Sequence, residues 1–341
     1  MPRVVGTDPG TGSLDLLLMV DGEVADQARM PPDADPAGLL RLLEGWGPLD
    51  LIAGPSGYGL PMVRASEASG ADLGLMGLVR EDELGRPLGV GGFSRWVAAL
   101  AGSGLPVVFL PGGIHLPTIP DHRKIGVVDR GTADKVAVAA LALRLDADGE
   151  GRAPSGSTFA VAEIGSAFSA LLVVDGGAIV DASAGSAGPM GLRSSGAWDG
   201  EAAYWLGPLS KQDLFRGGLD DLGAAGRPGF FESIRKHLAG LRELTPFDRI
   251  YLSGSASSRA DLAPGLVDTL GRFGRAVPLG NLPGAWVKQA AQGSALLADG
   301  LAGGRNADLV DSLRLREASG SVLDGLAPFV RARSGAGTPP A

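Results

Sequence analysis

The opening pattern of this sequence returns about half a chain later, and this repeat constrains the fold more than any other feature. Residues 17–22 (LLMVDG) align with residues 171–176 (LLVVDG). A short apolar run and a turn of the form acid-x-Gly precede each copy. Apolar runs on both sides of a tight turn are typical of β-hairpins. Two such hairpins predict a duplicated domain, with chance similarity of two Gly-rich hairpins as the alternative.

Helical periodicity alternates with short apolar runs along the rest of the chain. Residues 36–46 and 132–145 place apolar side chains at helical spacing. Residues 49–53, 105–110 and 248–252 are apolar runs that lead into loops containing Gly, as buried strands do. Strands alternating with helices predict an α/β fold with a largely buried sheet.

The chain length suits two domains. Of its 341 residues, the small polar stretch at residues 150–157 is the best linker. We therefore expect one domain at residues 1–149 and a second at residues 150–330. The tail at residues 331–341 is rich in Ser, Gly and Pro, and this composition predicts disorder.

Composition excludes several classes of protein. The formal net charge of −8 argues against nucleic acid as the main partner, because phosphate backbones need a basic footprint. The absence of Cys excludes disulfides and thiolate chemistry. The sequence has neither an apolar run of membrane-spanning length nor a signal peptide, so we expect a cytoplasmic protein with no membrane partner.

The familiar motifs of nucleotide binding and hydrolysis are absent. No G-x-x-x-x-G-K-[ST] occurs, and no G-x-G-x-x-G follows the first strand. H-E-x-x-H and G-x-S-x-G are missing as well. Any phosphate site must therefore be built from other turns.

The first hairpin turn has the composition of an anion site. Gly10 and Gly12 allow backbone N–H groups to approach a phosphate closely, and Thr11 and Ser13 add hydroxyl donors. Asp8 would repel a phosphate, so its useful role is to hold Mg²⁺, through water.

The second hairpin repeats this arrangement with Glu163, Gly165 and Ser166. Facing each other across a cleft, the two turns would clamp a polyphosphate while a metal ion neutralises Asp8 and Glu163. An ordinary tight hairpin is the alternative for either turn taken alone.

A third turn follows the later apolar run at residues 248–252. Ser253, Gly254 and Ser255 separate this run from a helical segment. A Gly here permits close approach of a flat nucleoside, and a nearby helix N-terminus favours phosphate. Gly at a strand-to-helix turn is also common without any ligand.

These three turns, in this order, resemble the two phosphate motifs and the adenosine motif of the actin, hexokinase and acetate kinase superfamily. The resemblance implies an α/β fold of two duplicated actin-like (ribonuclease H-like) domains with a nucleotide cleft between them. It also implies ATP and Mg²⁺ in the cleft and phosphoryl transfer. The sequence departs from the superfamily at Glu163, where Asp is usual.

Four longer stretches resemble a family of archaeal and bacterial proteins known as predicted butyrate kinases. They lie at residues 50–61, 114–124, 131–136 and 188–201. The resemblance implies a kinase that transfers the γ-phosphoryl group of ATP to a small acceptor, with a short-chain carboxylate favoured. The His and Arg catalytic motif of acetate kinases has no clear copy here, which weakens the expectation of an acyl phosphate product.

Charged residues near these turns are candidates for catalysis. His122 and Arg123 lie on irregular chain and could stabilise charge on the transferring phosphoryl group, or form a solvated basic turn. Asp134 and Lys135 open a helix, where Asp suits the helix dipole and Lys does not, so Lys135 is expected to bind a phosphate or carboxylate.

Four residues are candidates for binding the acceptor: Ser56, Tyr58, His115 and Arg193. Arg193 could hold a carboxylate through two hydrogen bonds. Lys211 and Lys288, in contrast, are expected on the solvated surface.

Two rival functions remain open on the sequence. A sugar or polyol kinase needs an Asp base against a hydroxyl, and Asp134 and Asp199 are the candidates. A non-catalytic protein that ATP switches between states would bind nucleotide without turnover that depends on an acceptor. A homodimer is compatible with any of these functions.

Overall fold

The computed structural model describes residues 1–10, 12–54, 56–80, 83 and 93–327. The expected disorder of residues 331–341 therefore lies outside the described residues. The predicted α/β class with two related sheets is confirmed. None of the helices in the described part of the chain is long and apolar enough to cross a membrane.

The first sheet has six strands in the order β3-β2-β1-β4-β6-β5. β1 pairs with β2 antiparallel and with β4 parallel, and β4 pairs with β6 parallel. The strands are β1 (Arg3–Pro9), β2 (Leu14–Val20), β3 (Glu23–Met30), β4 (Leu51–Gly54), β5 (Val63–Arg64) and β6 (Val107–Phe109).

The second sheet has five strands in the order β11-β10-β7-β8-β9. Taken from β9 to β11, this order matches the order β3-β2-β1-β4-β6 in the first sheet. β7 again pairs antiparallel with the next strand and parallel with β10. The strands are β7 (Phe159–Ile164), β8 (Ser169–Asp175), β9 (Ala178–Ala184), β10 (Arg249–Ser253) and β11 (Arg275–Pro278). The duplication predicted from the two hairpins is therefore confirmed.

The helices form three layers around the two sheets. Apolar cores join the first sheet to α1–α3 on its outer face and the second sheet to α6 and α7 on its own outer face. A third core, between the sheets, holds α4, α8 and α9. The helices are α1 (Pro36–Gly45), α2 (Gly70–Gly77), α3 (Phe93–Ala101), α4 (Ala133–Glu150), α5 (Gly200–Leu206), α6 (Leu219–Leu244), α7 (Ala263–Gly271), α8 (Gln289–Leu301) and α9 (Ala307–Ser312).

The chain crosses back between its halves through α8. This helix follows β11 in sequence, yet it packs against β1, β2 and β4 of the first sheet and against α4. Small residues make the close approach possible: a Cβ on Gly6 would lie 2.1 Å from the backbone nitrogen of Ala295, and one on Gly293 only 1.8 Å from the Ala137 carbonyl oxygen. The expected domain boundary between residues 149 and 150 falls at the end of α4. α8 lies after this boundary in the sequence but packs against the sheet of the first half.

Candidate active site

A cavity of about 620 Å³ lies where the two hairpins meet. It is lined by residues of both sheets, of the segment that opens α4 and of the segment that opens α8. The sequence-predicted residues that line it are Asp8, Gly10, Gly12, Ser56, Tyr58, Asp134, Lys135, Glu163, Gly165, Ser166, Ser253, Gly254 and Ser255. Thr11 lies outside the described residues.

The two hairpin turns share one geometry. The Gly10 N–H donates to the Ser13 carbonyl at 2.8 Å, and the Gly165 N–H donates to the Phe168 carbonyl at 3.0 Å. In each copy the acid stands two residues before the Gly, on the strand that leads into the turn. The structure thus brings the two acid-x-Gly turns to one cavity, as the clamp hypothesis requires.

Two carboxylates face each other in the first hairpin. Asp8 is directly opposite Asp15 in the register of β1 and β2, an arrangement that repels unless a cation intervenes. Lys288 is that cation, because its Nζ lies 3.6 Å from Asp8 Oδ2 and 3.3 Å from Asp15 Oδ2. Burial raises the pKa of Asp8 to about 6, although Lys288 acts to lower it.

Ser13 supports Asp15 instead of facing the cavity. Its hydroxyl donates to Asp15 Oδ2 at 2.5 Å, and Arg29 donates to Asp15 Oδ1 at 2.8 Å. Burial acts to raise the pKa of Asp15, but the bonds from Ser13 and Arg29, together with Lys288, hold it below its usual range. The expected contact of the Ser13 hydroxyl with phosphate is therefore not what this geometry provides.

Lys135 ties the start of α4 to the second hairpin. Its Nζ lies 2.7 Å from Asp134 Oδ2 and 2.8 Å from Glu163 Oε2. Burial alone would lower the pKa of Lys135, but the two carboxylates raise it above its usual value, so the ammonium stays charged. This pair of carboxylates accounts for a Lys at a helix N-terminus, where the helix dipole disfavours a positive charge. Thr132 donates its hydroxyl to Asp134, which helps to fix that carboxylate.

The third turn approaches the second hairpin very closely. β10 and β7 pair in parallel, with Ser253 beside Glu163. Gly254 has a φ of +89°, and a Cβ there would lie 2.3 Å from the Ile164 carbonyl oxygen. Only Gly fits this position without strain, because other residues disfavour that φ and would collide with β7. The Ser253 hydroxyl is held by Gln289 at 2.5 Å, so the turn is fixed from α8 as well.

The structure does not bring His122 and Arg123 to the cavity. His122 is exposed on the turn Asp121–Arg123. Arg123 donates to the Val180 carbonyl at 2.8 Å and lies 3.4 Å from Asp181, so it fastens this turn to β9. Neither side chain lines the cavity, so this arrangement does not support their expected role at the transferring phosphoryl group.

Two predicted acceptor residues and one predicted base also lie elsewhere. His115 is buried beneath the cavity wall, with its Nδ1 3.1 Å from the Gly320 carbonyl oxygen. The Arg193 guanidinium lies over the ring of Phe215, 5.4 Å from its centroid, so it stands behind a lining residue. Asp199 caps α5, accepting from the Glu201 N–H at 2.8 Å. Long-range packing, which no local pattern displays, decides the positions of His115 and Arg193, whereas a local helix cap decides that of Asp199.

One end of the cavity contains two charged residues that the sequence did not single out for the site. Lys211 places its Nζ 3.4 Å from the Tyr58 hydroxyl and 4.7 Å from the centre of its ring. Burial lowers the pKa of Lys211 to about 8 and raises the pKa of Tyr58 above its usual value. Asp129 is buried, accepts from the Gly131 N–H at 2.7 Å and has its pKa raised to about 6 by burial.

Ser56 lines the same end, but its hydroxyl is engaged. It donates to the Leu110 carbonyl. Met76, Val79, Phe93, Phe168 and Phe215 contribute apolar lining to the cavity. The expectation that Lys211 and Lys288 are solvated surface residues is wrong, because both line the cavity. For Lys288 a signal existed: like Lys135, it stands at a helix N-terminus, where Lys opposes the dipole.

Acetate and propionate kinases are among the solved structures of similar architecture. A propionate kinase from Francisella tularensis subsp. tularensis SCHU S4 superposes with a TM-score of 0.59 and 12% identity, covering 86% of this chain and 98% of that chain. An acetate kinase from Porphyromonas gingivalis gives 0.54 and 12%, with the same coverage of 86% and 98%. An acetate kinase from Entamoeba histolytica gives 0.52 and 11%, covering 79% and 86%. At such identities the likeness shows the fold, and it confirms the predicted actin-like architecture.

Sequence comparison identifies the family. No curated protein sequence matches this chain significantly. One family profile, described as "Protein of unknown function (DUF1464)", matches residues 6–327. This match spans both sheets, both hairpins and every residue of the cavity. The chain therefore belongs to the DUF1464 family and has the two-domain fold of acetate and propionate kinases.

Proposed function

We propose that this protein is an ATP-dependent phosphotransferase that moves the γ-phosphoryl group to a small acceptor bound in the same cavity. The observation that carries the proposal is the meeting of the two acid-x-Gly turns, with Lys135 bridging α4 to Glu163 at 2.8 Å. The acetate and propionate kinases of similar fold are phosphotransferases by name, which agrees with this assignment.

The turns supply what a polyphosphate needs. The two hairpin turns line the cavity with small residues, Gly10 and Gly12 in one and Gly165 and Ser166 in the other, and Lys135 and Lys288 provide positive charge. Phosphoryl transfer requires positioning and charge stabilisation more than covalent chemistry from the protein. Narrow turns and two Lys side chains in one cavity meet that requirement.

The residues also fit the expected Mg²⁺. Among the described residues no group of three or more acids and His forms a metal cage. Mg²⁺ in kinases needs no such cage, because it keeps several waters and takes one or two carboxylates together with the substrate phosphates. Asp8 and Glu163 would hold it in this way. When bound, Mg²⁺ would neutralise phosphate charge and the charge of these carboxylates.

For the acceptor we favour a short-chain carboxylate, as a butyrate kinase would use. Lys211 is a cavity-lining cation that lies beside Tyr58, and several apolar side chains line the same cavity. An ammonium held over the Tyr58 ring suits an anionic head group, while Met76, Phe93 and Phe215 suit a short hydrocarbon chain. In this proposal Lys211 takes the role that the sequence analysis gave to Arg193.

Asp129 supports a second candidate, a hydroxyl acceptor such as a sugar or polyol. Its charge is felt both by Lys211 and Tyr58, at the acceptor end, and by the carboxylate of Asp134, at the clamp. A cavity-lining carboxylate whose pKa burial raises to about 6 suits a general base that takes a proton from a hydroxyl. Asp129 is thus a better placed base than Asp134, which is paired with Lys135, or Asp199, which caps α5.

The test is ADP release from Mg·ATP in the presence of short carboxylates, sugars and polyols, with hydroxylamine to trap acyl phosphates. The wild type is compared with Asp8→Asn, Asp129→Asn and Lys211→Met. Asp199→Asn is the matched control, because Asn also caps helices and residue 199 lies away from the cavity.

The outcomes separate the candidates. Stimulation by a carboxylate that is lost in Lys211→Met but kept in Asp129→Asn supports the acyl kinase. Stimulation by a hydroxyl compound that is lost in Asp129→Asn supports the sugar or polyol kinase. ATP binding without stimulation by any acceptor overturns the kinase proposal and favours a nucleotide-switched protein.

A further inference from the structure

A large aromatic side chain stands exposed at the edge of the cavity. Trp286 lines the cavity and keeps 54% of its surface accessible, whereas Trp46 and Trp96 are buried. An exposed indole is a substantial apolar surface left in water, and at a cavity it marks a place where a flat ligand can cover it. Neither the hairpin clamp nor the acceptor end uses Trp286.

The backbone that carries the indole is held in place before any ligand arrives. The Trp286 main-chain N–H donates to Gln27 Oε1 at 2.7 Å, and Gln27 Nε2 donates to the Gly284 carbonyl at 2.9 Å, so β3 fixes the loop at two points. The Arg29 guanidinium lies 5.4 Å from the indole centre and is itself paired with Asp15 at 2.8 Å. A pre-organised platform loses little conformational freedom when a ligand binds.

Trp286 lies just before two residues that contact the first hairpin and the third turn. Lys288, two residues later in sequence, reaches Asp8 at 3.6 Å, and Gln289 holds Ser253 of the third turn at 2.5 Å. The loop that contains Trp286 is thus tied to the first hairpin and, through Gln289, to the turn expected to meet the nucleoside. Lys211, at the acceptor end, is held instead by Tyr58 and Glu83.

We propose that the Trp286 indole, backed by Arg29, is the platform on which the nucleobase of the bound nucleotide stacks. The inference rests on the proposed function, since it takes the triphosphate to lie in the clamp. Aromatic stacking tolerates different bases but requires a π face, so the ligand class is a nucleoside triphosphate in preference to an inorganic polyphosphate.

The test compares ATP with inorganic tripolyphosphate, a probe that has phosphates but no base, on the full chain with Mg²⁺. We expect Trp286→Ala to weaken ATP binding by roughly 5- to 150-fold while leaving tripolyphosphate binding unchanged. Trp286→Phe keeps an aromatic face and should retain most of the ATP affinity. Trp205→Ala is the matched control, because Trp205 is 87% exposed on α5 and does not line the cavity.

Intrinsic fluorescence provides a second readout that does not depend on turnover. ATP should quench the tryptophan fluorescence of the wild type and of Trp205→Ala, and should quench that of Trp286→Phe less. Tripolyphosphate should quench the fluorescence of none of the three proteins. If Trp286→Ala binds ATP as tightly as the wild type does, the proposed stacking on Trp286 is wrong. It is also wrong if Trp286→Ala loses the same affinity for ATP and for tripolyphosphate. Failure of the wild type to bind either ligand overturns the proposed function itself, so the two failures are distinguishable.

Discussion

Two glycines in helices should respond in opposite ways to the same substitution. Gly240 lies on an exposed face of α6, and Gly293 is buried in α8 between the sheets. Intrinsic helix propensity favours Ala over Gly at either position by about 0.5–1 kcal/mol. Local preference alone therefore predicts that Gly240→Ala and Gly293→Ala both stabilise the protein.

The structure reverses that expectation at Gly293. A Cβ there would lie 1.8 Å from the Ala137 carbonyl oxygen and 2.4 Å from its carbon, whereas a Cβ at Gly240 would meet nothing within 4 Å. The obstacle is backbone of α4, which cannot rotate away as a side chain can, so α4 and α8 must separate. Overpacking costs about 1–3 kcal/mol, and with backbone as the obstacle we take the upper end, which leaves a net loss of about 2 kcal/mol after the gain in propensity.

Urea denaturation, followed by circular dichroism, measures both variants against the wild type. We expect the free energy of unfolding to fall by about 2 kcal/mol in Gly293→Ala and to rise by about 0.5–1 kcal/mol in Gly240→Ala, with similar denaturant slopes. If Gly293→Ala is as stable as the wild type, the close crossing of α4 and α8 is wrong.

Three further predictions concern single residues. Asp146→Asn should lower the free energy of unfolding by about 2 kcal/mol at pH 7, because the carboxylate accepts from Arg249 at 2.6 Å and from Tyr251 at 2.8 Å. The pKa of Asp146 is held below its usual range, against the effect of burial, by bonds from its partners. Its contribution is therefore complete above about pH 4 and fades as the pH falls through the lowered pKa of Asp146. Thermal denaturation should show the difference between variant and wild type shrinking as the pH is lowered below about 4, and a constant difference contradicts this. Gly254→Ala should cost about 2 kcal/mol or more of stability and weaken nucleotide binding, as measured by thermal unfolding with and without ATP, and unchanged values would contradict the close approach to β7. Lys211→Met should raise the KM for an anionic acceptor by roughly 10- to 100-fold with ATP affinity unchanged, and the wild-type kcat/KM should fall above pH 8 as Lys211 loses its proton; a flat pH profile would contradict the role of Lys211.

Short-range features of the site could be predicted from the sequence. Asp8 with Gly10 and Glu163 with Gly165 each lie within one hairpin, where a few neighbouring residues decide the conformation. The repeat also predicted a duplicated domain, and the matching strand orders of the two sheets confirm it. Gly254 could be singled out as well, because a Gly between an apolar strand and a helix permits a close approach.

Residues brought in by long-range packing could not be predicted in the same way. Lys288 meets the Ser13 carbonyl, 275 positions earlier in the chain, because α8 folds back onto the first sheet. Lys211 reaches Tyr58 across 153 positions. A local sequence pattern does not encode contacts between residues so far apart in the chain, so it predicts both Lys residues on the surface. The same holds for His122 and Arg123, because a long-range contact packs their turn on β9.

The bounds of one helix show how a local signal can mislead. The sequence pattern predicts a helix over residues 229–244, yet α6 extends from Leu219 to Leu244. Gly223, with a φ of 55°, interrupts the helix, and Pro228 lies five residues later, inside the second helical segment. Pro228 has no N–H to donate to the preceding turn, and the helix forms around it with this one hydrogen bond missing.

Equilibrium titration with Mg·ATP tests the central claim, that the two hairpins form one phosphate clamp. It is carried out by calorimetry on the wild type, Asp8→Asn and Glu163→Gln, with Mg²⁺ and again with the metal chelated. The account predicts that each variant binds Mg·ATP at least about tenfold more weakly than the wild type, since each loses a metal-binding carboxylate. Without Mg²⁺, Asp8→Asn should bind ATP no worse than the wild type, because a repelling charge has gone. Wild-type affinity for Mg·ATP in either variant would contradict the clamp.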